Sequence, residues 1–293
     1  MKKVPTPVVG KRGVAIVGPG RVGQAMGKLL HRAGVPVLFV VARRMAAAKR
    51  AVQFIGAGRP LALEDRRFTE APVVLLTTTD TALQLVAQSL SRLRNDWSGK
   101  VVLHTCGSLP ASVLSPLKRK GAAIGSIHPF QTFPNPAAGA RSLMGSFWGI
   151  EGDLAARQVA EQWVRFLRGV AFPVRAARKD LYHLAAFLTC PTAVTLMERA
   201  ADLLKEAGVP ARIARPMLSQ FVAQTARNFA ELGGRRALTG PVVRGDWATL
   251  MKHLAALRRF SPDLIPVYVA LLRPMLRLAG RAPDSGRQKV LKA

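Results

Sequence analysis

Three side chains in the segment KDLYHLAAF (residues 179–187) have types and spacing that suit acid–base chemistry. Lys179 and His183 are four residues apart, which puts them on one face of a helix, and Tyr182 lies close by. Lys179 could donate a proton or polarise a carbonyl group, and His183 could assist it. The alternative is a surface lysine beside a histidine at a domain interface, because charged helix faces usually only meet water.

Two further histidines follow apolar segments that are typical of buried strands: His104 in HTCGSLP and His128 in IHPFQTF. Pro129 stops both helices and strands, so we predict that His128 lies on a loop at the exit of a strand. If the two strands are parallel neighbours, either histidine could act as an acid there near neutral pH. The alternative is that these histidines only bond the backbone of their loops.

The same two segments offer groups for binding a substrate carboxylate. We take His104, Ser108 and Gln131 as candidate substrate-binding residues. Cys106 lies among them, but no neighbouring residue type marks it as a stabilised thiolate, so we interpret it as a small packing residue.

Arg244 in the segment LTGPVVRGD is a fourth candidate for substrate binding, because a guanidinium group can clamp a carboxylate with two hydrogen bonds. Asp246 is predicted to cap the N-terminus of the helix that follows. The alternative is a turn fixed by an Arg244–Asp246 pair without any ligand.

These side chains need a scaffold, and residues 13–42 indicate which one. A short apolar strand (14–17) leads into GPGRVG, a helical stretch closed by Gly34 follows, and a second strand spans 35–42. A GxGxxG loop between a strand and a helix is typical of dinucleotide binding, with the pyrophosphate at the helix N-terminus. The candidate residues are Gly18, Gly20, Arg21, Val22 and Gly23.

The end of the second strand distinguishes between the two nicotinamide cofactors. NAD-binding proteins place an acid there, whereas this chain has Arg43 and Arg44, whose guanidinium groups suit the 2′-phosphate of NADP. The alternative is that an arginine pair falls there by chance in an arginine-rich chain. Thr78 and Thr79 follow the strand in VVLLTTTD (73–80) and are further candidates for cofactor binding.

Strands and helices alternate as far as SFWGIEGD (146–153), and afterwards apolar residues recur only at helical spacing. The sequence therefore predicts an α/β Rossmann N-terminal domain over 1–153 and an all-α domain over 154–293, whose tail from residue 281 is expected to fray. In an open α/β sheet, ligands bind beyond the carboxyl ends of the strands, which is where Thr78, His104 and His128 are expected.

Composition excludes several other classes. The 293 residues are 49% hydrophobic, enough for real cores, and no apolar segment is long enough to span a bilayer. Two distant cysteines indicate neither a disulfide framework nor a zinc site, and the basic N-terminus has no signal-peptide pattern, so we expect a cytoplasmic protein without metal. The net charge of +28 is spread over the chain rather than gathered in a basic tail, which argues against nucleic acid as partner.

With these motifs, the chain resembles a family of Rossmann-like oxidoreductases whose C-terminal half is known only as a domain of unknown function. The resemblance covers nearly the whole chain and rests on GPGRVG, LLTTTD, HTCGSLP, HPFQTF, KDLYHLAA and LTGPVVRGD. The family is related to the 6-phosphogluconate dehydrogenase, pyrroline-5-carboxylate reductase and prephenate dehydrogenase groups, in which a helical domain follows the Rossmann domain and dimerises. The resemblance thus implies a C-terminal domain like that of 6-phosphogluconate dehydrogenase, and a homodimer.

The resemblance also bears on single residues. Lys179 and His183 are similar to the catalytic lysine of β-hydroxyacid dehydrogenases and the asparagine four residues after it. His128 begins a segment that resembles an HPM segment of prephenate dehydrogenases. The chain has Cys106 and Pro191 near positions where the family often has a serine and a polar residue.

Together, these observations predict an NADPH-dependent reductase that transfers hydride to a small carboxylate-bearing 2-oxo acid or imine. Lys179, His183 and His128 are the candidate catalytic residues, and Arg244 would anchor the carboxylate. Two alternatives stay open. One is an NADP-binding regulator without turnover, and the other is a nucleic-acid-binding protein on a Rossmann frame.

Overall fold

A computed structural model of the chain describes residues 12–280. The C-terminal residues that were expected to fray, 281–293, lie outside the described residues, as does most of the basic N-terminal segment. By its contacts the chain forms two compact units, residues 1–190 and 191–293, and the domain border after residue 153 stays a prediction.

The first unit is built on one eight-stranded sheet in the order β3-β2-β1-β4-β5-β6-β7-β8. Its strands are β1 (Val14–Val17), β2 (Val37–Ala42), β3 (Arg59–Ala62), β4 (Val73–Leu76), β5 (Val101–His104), β6 (Ala123–Pro129), β7 (Phe147–Gly152) and β8 (Val170–Pro173). The strands from β1 to β6 pair in parallel and β7 pairs antiparallel with β6. This is the predicted Rossmann arrangement, with β3 and β8 as strands that the sequence analysis missed.

Helices cover both faces of this sheet. They are α1 (Arg21–Arg32), α2 (Met45–Ile55), α3 (Asp80–Leu93), α4 (Ser115–Lys118), α5 (Pro136–Leu143) and α6 (Leu154–Phe166), and α7 (Lys179–Thr189) ends the unit. Two separate apolar cores result, one on each face of the sheet. Strands buried on both faces explain why β1, β4 and β5 read as continuous apolar runs rather than as alternating ones.

His128 lies inside β6, so its predicted position on a loop is wrong. Pairing of β6 with β5 stops at Ser126, while pairing with β7 continues to Pro129 opposite Trp148. Pro129 is tolerated because it lies where β6 has only one neighbouring strand, and a missing N–H breaks no bond on the free side.

The second unit is helical, as predicted. It comprises α8 (Pro191–Glu206), α9 (Ala211–Ala237), α10 (Pro241–Arg244), α11 (Trp247–Phe260) and α12 (Ile265–Leu278). The helix α9 is kinked at Gly233, whose φ of 74° is left-handed. Leu250 and Leu254 of α11 pack against Leu272 and Leu276 of α12 in a small core. None of the helices in residues 12–280 is long and apolar enough to cross a membrane.

Candidate functional site

The glycine-rich loop after β1 has the geometry that a bound phosphate needs. Gly18 has a φ of 79°, and a Cβ there would come within 2.5 Å of the Thr78 side chain. A Cβ on Gly23 would lie 2.2 Å from Thr77 Oγ1, so that α1 can approach β4 only with glycine at this position. A Cβ on Gly20 would instead meet only the Gly18 carbonyl oxygen, at 3.9 Å, so the backbone of Gly20 faces open space.

The N-terminus of α1 opens onto the same space. Gly20 is its N-cap and provides no side-chain cap, and the first turn contains no acid. Its first N–H groups are therefore free to bind an anion, which the helix dipole favours. Arg21 is exposed and its Nη1 donates to the Phe133 carbonyl at 3.4 Å. Val22 packs partly against the core, so only its backbone N–H can serve a ligand.

The arginine pair after β2 is exposed. Arg43 and Arg44 follow the last residue of the strand, and neither forms an ion pair within residues 12–280. Two free guanidinium groups at this point fit a phosphate on the adenosine ribose.

The threonines after β4 lie against the glycine loop. Thr77 Oγ1 donates to the Gly18 carbonyl at 2.7 Å, and Thr78 Oγ1 is buried without a hydrogen-bond partner in the described part of the chain. Thr79 is the N-cap of α3, although its side chain makes no capping hydrogen bond. The glycine loop, the unpartnered Thr78 hydroxyl and the free arginines together fit a dinucleotide with a 2′-phosphate.

A second group of polar side chains lies at the carboxyl ends of β5 and β6, around the ammonium group of Lys179. Lys179 is the first residue of α7, and only 3% of it is exposed. Its Nζ donates to Ser126 Oγ at 2.5 Å and to the Cys106 carbonyl at 2.9 Å. The predicted alternative of a surface lysine is therefore wrong, because α7 directs this side chain into the sheet edge.

Glu151 provides the negative charge for Lys179. Its Oε1 lies 3.9 Å from Lys179 Nζ and accepts the Ala111 N–H at 2.5 Å. Burial lowers the pKa of Lys179, and the Glu151 carboxylate opposes that change. Burial likewise raises the pKa of Glu151. Two of the three Lys179 N–H groups are bonded, and the Glu151 carboxylate lies beyond hydrogen-bond distance of the ammonium group.

Sheet register explains why these residues meet. Ser126 of β6 pairs with His104 of β5 on one side and with Glu151 of β7 on the other. Paired residues share a face of the sheet, so the three side chains form one row across three strands. His128, two residues after Ser126, begins the next row on the same face.

His104 lies at the inner end of this row and is completely buried. Its Nδ1 accepts the Cys106 N–H at 3.1 Å, and burial, followed by the charge of Lys179, lowers its pKa to about 3. Its Nε2 is buried without a hydrogen-bond partner in the described part of the chain, and the predicted substrate contact stays a prediction. Through Nδ1 the ring fixes the loop that carries Cys106.

His128 is bound to Tyr182 of α7. The His128 Nδ1 lies 2.8 Å from the Tyr182 hydroxyl, and Gly149 opposite His128 leaves room for that hydroxyl. Burial lowers the pKa of His128 to about 4, with the charge of Lys179 as the second cause, and raises the pKa of Tyr182 to about 12. The His183 ring lies 6.3 Å from the His128 ring, and Gly107 fits against both. The structure thus brings Lys179, His128 and His183 together.

Ser108 is held by an acid rather than free for a carboxylate. Its Oγ donates to Asp80 Oδ2 at 3.0 Å and lies 3.2 Å from Cys106 Sγ. Asp80 begins α3. Burial raises the pKa of the Cys106 thiol, which agrees with a packing residue.

Gln131 and Arg244 are the other two predicted substrate-binding residues. Gln131 is exposed. Its amide nitrogen donates to the carbonyl of Ser142 in α5, and its amide oxygen accepts the Thr132 N–H, so both ends of the amide are already bonded. Arg244 is exposed in the second unit and forms no ion pair within residues 12–280, so the predicted Arg244–Asp246 pair is absent there. Asp246 caps α11 as predicted, accepting the Thr249 N–H at 3.1 Å.

Sequence reasoning missed Ser126 and Glu151. Both lie on strands, where polar residues facing inwards are rare. The signal was present in GSIHPF, because Ser126 and His128 alternate with apolar Ile127 and so share a face. The pairing partner Glu151 could not be found in this way, because it depends on the register of an antiparallel strand.

Comparison with known proteins agrees with this architecture. Residues 8–129 match the Rossmann-like domain family, and residues 146–274 match a domain of unknown function, DUF2520. The chain has no significant match among curated protein sequences.

Solved structures share the fold at low sequence identity. A Bacteroides fragilis protein assigned as an NADP oxidoreductase is 22% identical with a TM-score of 0.71, covering 92% of this chain and 99% of its own. A pyrroline-5-carboxylate reductase from Coxiella burnetii is 16% identical (TM-score 0.61; 92% and 98% covered). An imine reductase from Aspergillus terreus, solved with NADPH4, is 20% identical (TM-score 0.62; 96% and 98% covered). The chain therefore combines a Rossmann-like domain with a DUF2520 domain, in a fold that it shares with these proteins.

Proposed function

We propose that the protein is an NADPH-dependent reductase of a small carboxylate-bearing 2-oxo acid or imine. The observation that carries the proposal is the buried cluster of Lys179, Ser126 and Glu151 at one edge of the sheet. The same sheet also carries the glycine-rich loop after β1, which is open to a phosphate. A buried ammonium group costs free energy, and structural needs alone rarely retain one at the ligand-binding edge of a Rossmann sheet. The structural relatives include proteins named as NADP oxidoreductases and reductases, which supports the same class.

Cofactor binding is assigned to residues of the first unit. The N–H groups from Arg21 to Gly23 would hold the pyrophosphate, because the Gly20 N–H already donates to the Gly18 carbonyl at 2.7 Å. Arg43 and Arg44 would hold the 2′-phosphate. Thr78 and Thr79 would contact the nicotinamide half, where the Thr78 hydroxyl has a free bonding capacity. When bound, NADPH supplies the hydride.

Lys179 is the residue we assign to polarising the bond that is reduced. Within residues 12–280 its third N–H has no hydrogen-bonded partner, and it could point to the oxygen or nitrogen that gains electron density. Ser126 and the Cys106 carbonyl orient the ammonium group, and Glu151 keeps it charged. His128 would assist through the position that Tyr182 gives it, and His183 lies beside them. Arg244 is the proposed anchor for a substrate carboxylate.

A homodimer is part of the proposal. The helix α9 exposes large apolar side chains, among them Phe221 at 71% and Phe229 at 64%. Such surface marks an interaction site more often than a solvated face. Sedimentation of the wild type against Phe221→Ser/Phe229→Ser tests this, and a wild-type monomer would refute it.

Free thiols at Cys106 and Cys190 fit a reducing compartment, so we propose a cytoplasmic location.

The test of function is a turnover screen with NADPH, using 2-oxo acids and cyclic imines, on the wild type and on Lys179→Met. We expect the variant to lose about 100-fold or more in kcat/KM, the size of a lost electrostatic catalyst, while NADPH still binds. Lys49→Met, an exposed lysine on α2, is the matched control and should match the wild type. Full activity of Lys179→Met would refute the assignment, and NADPH binding without turnover of any substrate would instead favour a non-catalytic regulator.

A further inference from the structure

We propose that Asp80, held by Ser108, selects a positively charged protonated imine over an uncharged ketone group. The inference rests on the proposed reductase function and decides between the two substrate classes that it leaves open. Asp80 and Ser108 follow β4 and β5, which are neighbours in the sheet, so both lie at the edge where substrate is expected.

The hydrogen bond between the two residues has a defined direction. Ser108 Oγ is the donor and Asp80 Oδ2 the acceptor, at 3.0 Å. The only proton of the Ser108 hydroxyl is thus used, and what remains toward a ligand is a set of acceptors: the Ser108 lone pairs and the exposed Asp80 carboxylate. A carboxylate or keto oxygen finds no donor in this pair, whereas a cationic N–H finds two acceptors.

Charge balance points the same way. Lys179 and Glu151 offset each other at 3.9 Å, and His104 and His128 carry no charge at neutral pH. Asp80 forms no ion pair within residues 12–280, and its charge acts on both Lys179 and His128. The chain has only 16 acids against 44 lysines and arginines, so an unpaired acid beside the cluster is a local exception to the positive field.

The proton balance of the two reactions supports the choice. When hydride adds to the carbon of a protonated imine, the π electrons of the C=N bond become the nitrogen lone pair, and a neutral amine results without a further proton. The Lys179 N–H can donate a hydrogen bond to this lone pair only as it forms, which is the moment at which the nitrogen gains electron density. When hydride adds to a ketone, the oxygen must also receive a proton from the site to give the alcohol.

Two side chains of this cluster, those of His128 and Tyr182, are poor proton donors. His128 has a pKa of about 4 and Tyr182 one of about 12, so neither is a good acid at neutral pH. Loss of a proton from Lys179 would leave Glu151 buried without a cation. A substrate that brings its own proton fits the site better than one that needs it supplied.

The experiment compares two carboxylate-bearing probes that differ at the reducible bond, 1-pyrroline-2-carboxylate and 2-oxopentanoate, with NADPH at pH 7. We expect the wild type to prefer the imine. Asp80→Asn keeps an acceptor for Ser108. It should lower kcat/KM for the imine by about 10-fold, which is the size expected of one charge a few ångström away. The kcat/KM for the keto acid should stay the same or rise. Asp180→Asn removes an equal, exposed charge from α7 and should change neither.

Binding provides a readout that does not depend on turnover. Calorimetry of the NADPH complex with pyrrolidine, a cation, and with oxamate, an anion, should show pyrrolidine binding that weakens about 10-fold in Asp80→Asn while oxamate does not weaken. Three results would overturn this inference. They are a preference of the wild type for the keto acid, an equal loss of kcat/KM for both probes in Asp80→Asn, and pyrrolidine binding that does not depend on Asp80. Failure of the protein to bind NADPH would overturn the proposed function itself, while pyrrolidine binding to the protein alone would still test Asp80.

Discussion

The buried pair of Lys179 and Glu151 makes a quantitative prediction about stability. The two charged atoms are 3.9 Å apart, with 3% and 10% of the side chains exposed. At an effective dielectric constant of about 20, unit charges at this distance attract by about 4 kcal/mol, and partial screening leaves about 2–4 kcal/mol. Removing one partner strands the other charge in the interior, which typically costs about 3–5 kcal/mol of folding free energy.

A double-mutant cycle measures this coupling. Lys179→Met keeps the apolar stem, and Glu151→Gln keeps an acceptor for the Ala111 N–H. We expect each single variant to be clearly destabilised and the double variant to recover about 2–4 kcal/mol relative to additivity. Urea unfolding monitored by tryptophan fluorescence suits the first unit, because three of its tryptophans are fully buried: Trp97, Trp148 and Trp163. A coupling energy below about 0.5 kcal/mol would show that the pair does not interact as the distance implies.

Three further predictions follow from single sites. Burial lowers the pKa of His104 to about 3 and that of His128 to about 4. Between those pKa values and pH 6.5 the unfolded chain therefore binds more protons than the folded chain, and the free energy of unfolding should fall as the pH drops from 6.5 towards 4. A melting temperature that stays constant over this pH range would contradict the prediction. Gly23→Ala should destabilise the protein by about 2 kcal/mol or more, because its Cβ would lie 2.2 Å from Thr77 Oγ1, and unfolding free energies equal to wild type would refute the packing. Asp246→Ala removes the cap of α11 and should cost about 1 kcal/mol by urea unfolding, with Asp246→Asn as the near-neutral control.

The fold could be predicted because its signal is local. The strand, glycine loop and helix over residues 13–34 lie together in the chain, and Gly18 and Gly23 each lie against a threonine side chain that leaves no room for a Cβ. The missed strands lack such a signal. Arg59–Ala62 has four residues and contains Pro60, and Val170–Pro173 is largely exposed and does not alternate.

The site could be predicted only in part because its contacts are long-range. Spacing within one helix placed Lys179 and His183 together, which the structure agrees with. The partner of Lys179 on β7 depends on sheet register, and the bond from Ser108 to Asp80 depends on which loops follow neighbouring strands. Sequence reasoning therefore assigned Ser108 to an anionic group, whereas the structure places an acid against it.

Cofactor binding tests the central claim most directly. We would titrate NADPH and NADH at physiological salt and monitor fluorescence, using the wild type and the variant Arg43→Ala/Arg44→Ala. The control variant is Arg258→Ala/Arg259→Ala, which removes the same charge from exposed positions on α11. The account predicts that the wild type prefers NADPH by about 30-fold or more, the value of a charged phosphate contact, and that only the Arg43/Arg44 variant loses this preference. Equal affinity for both nucleotides, or no binding of either, would contradict it.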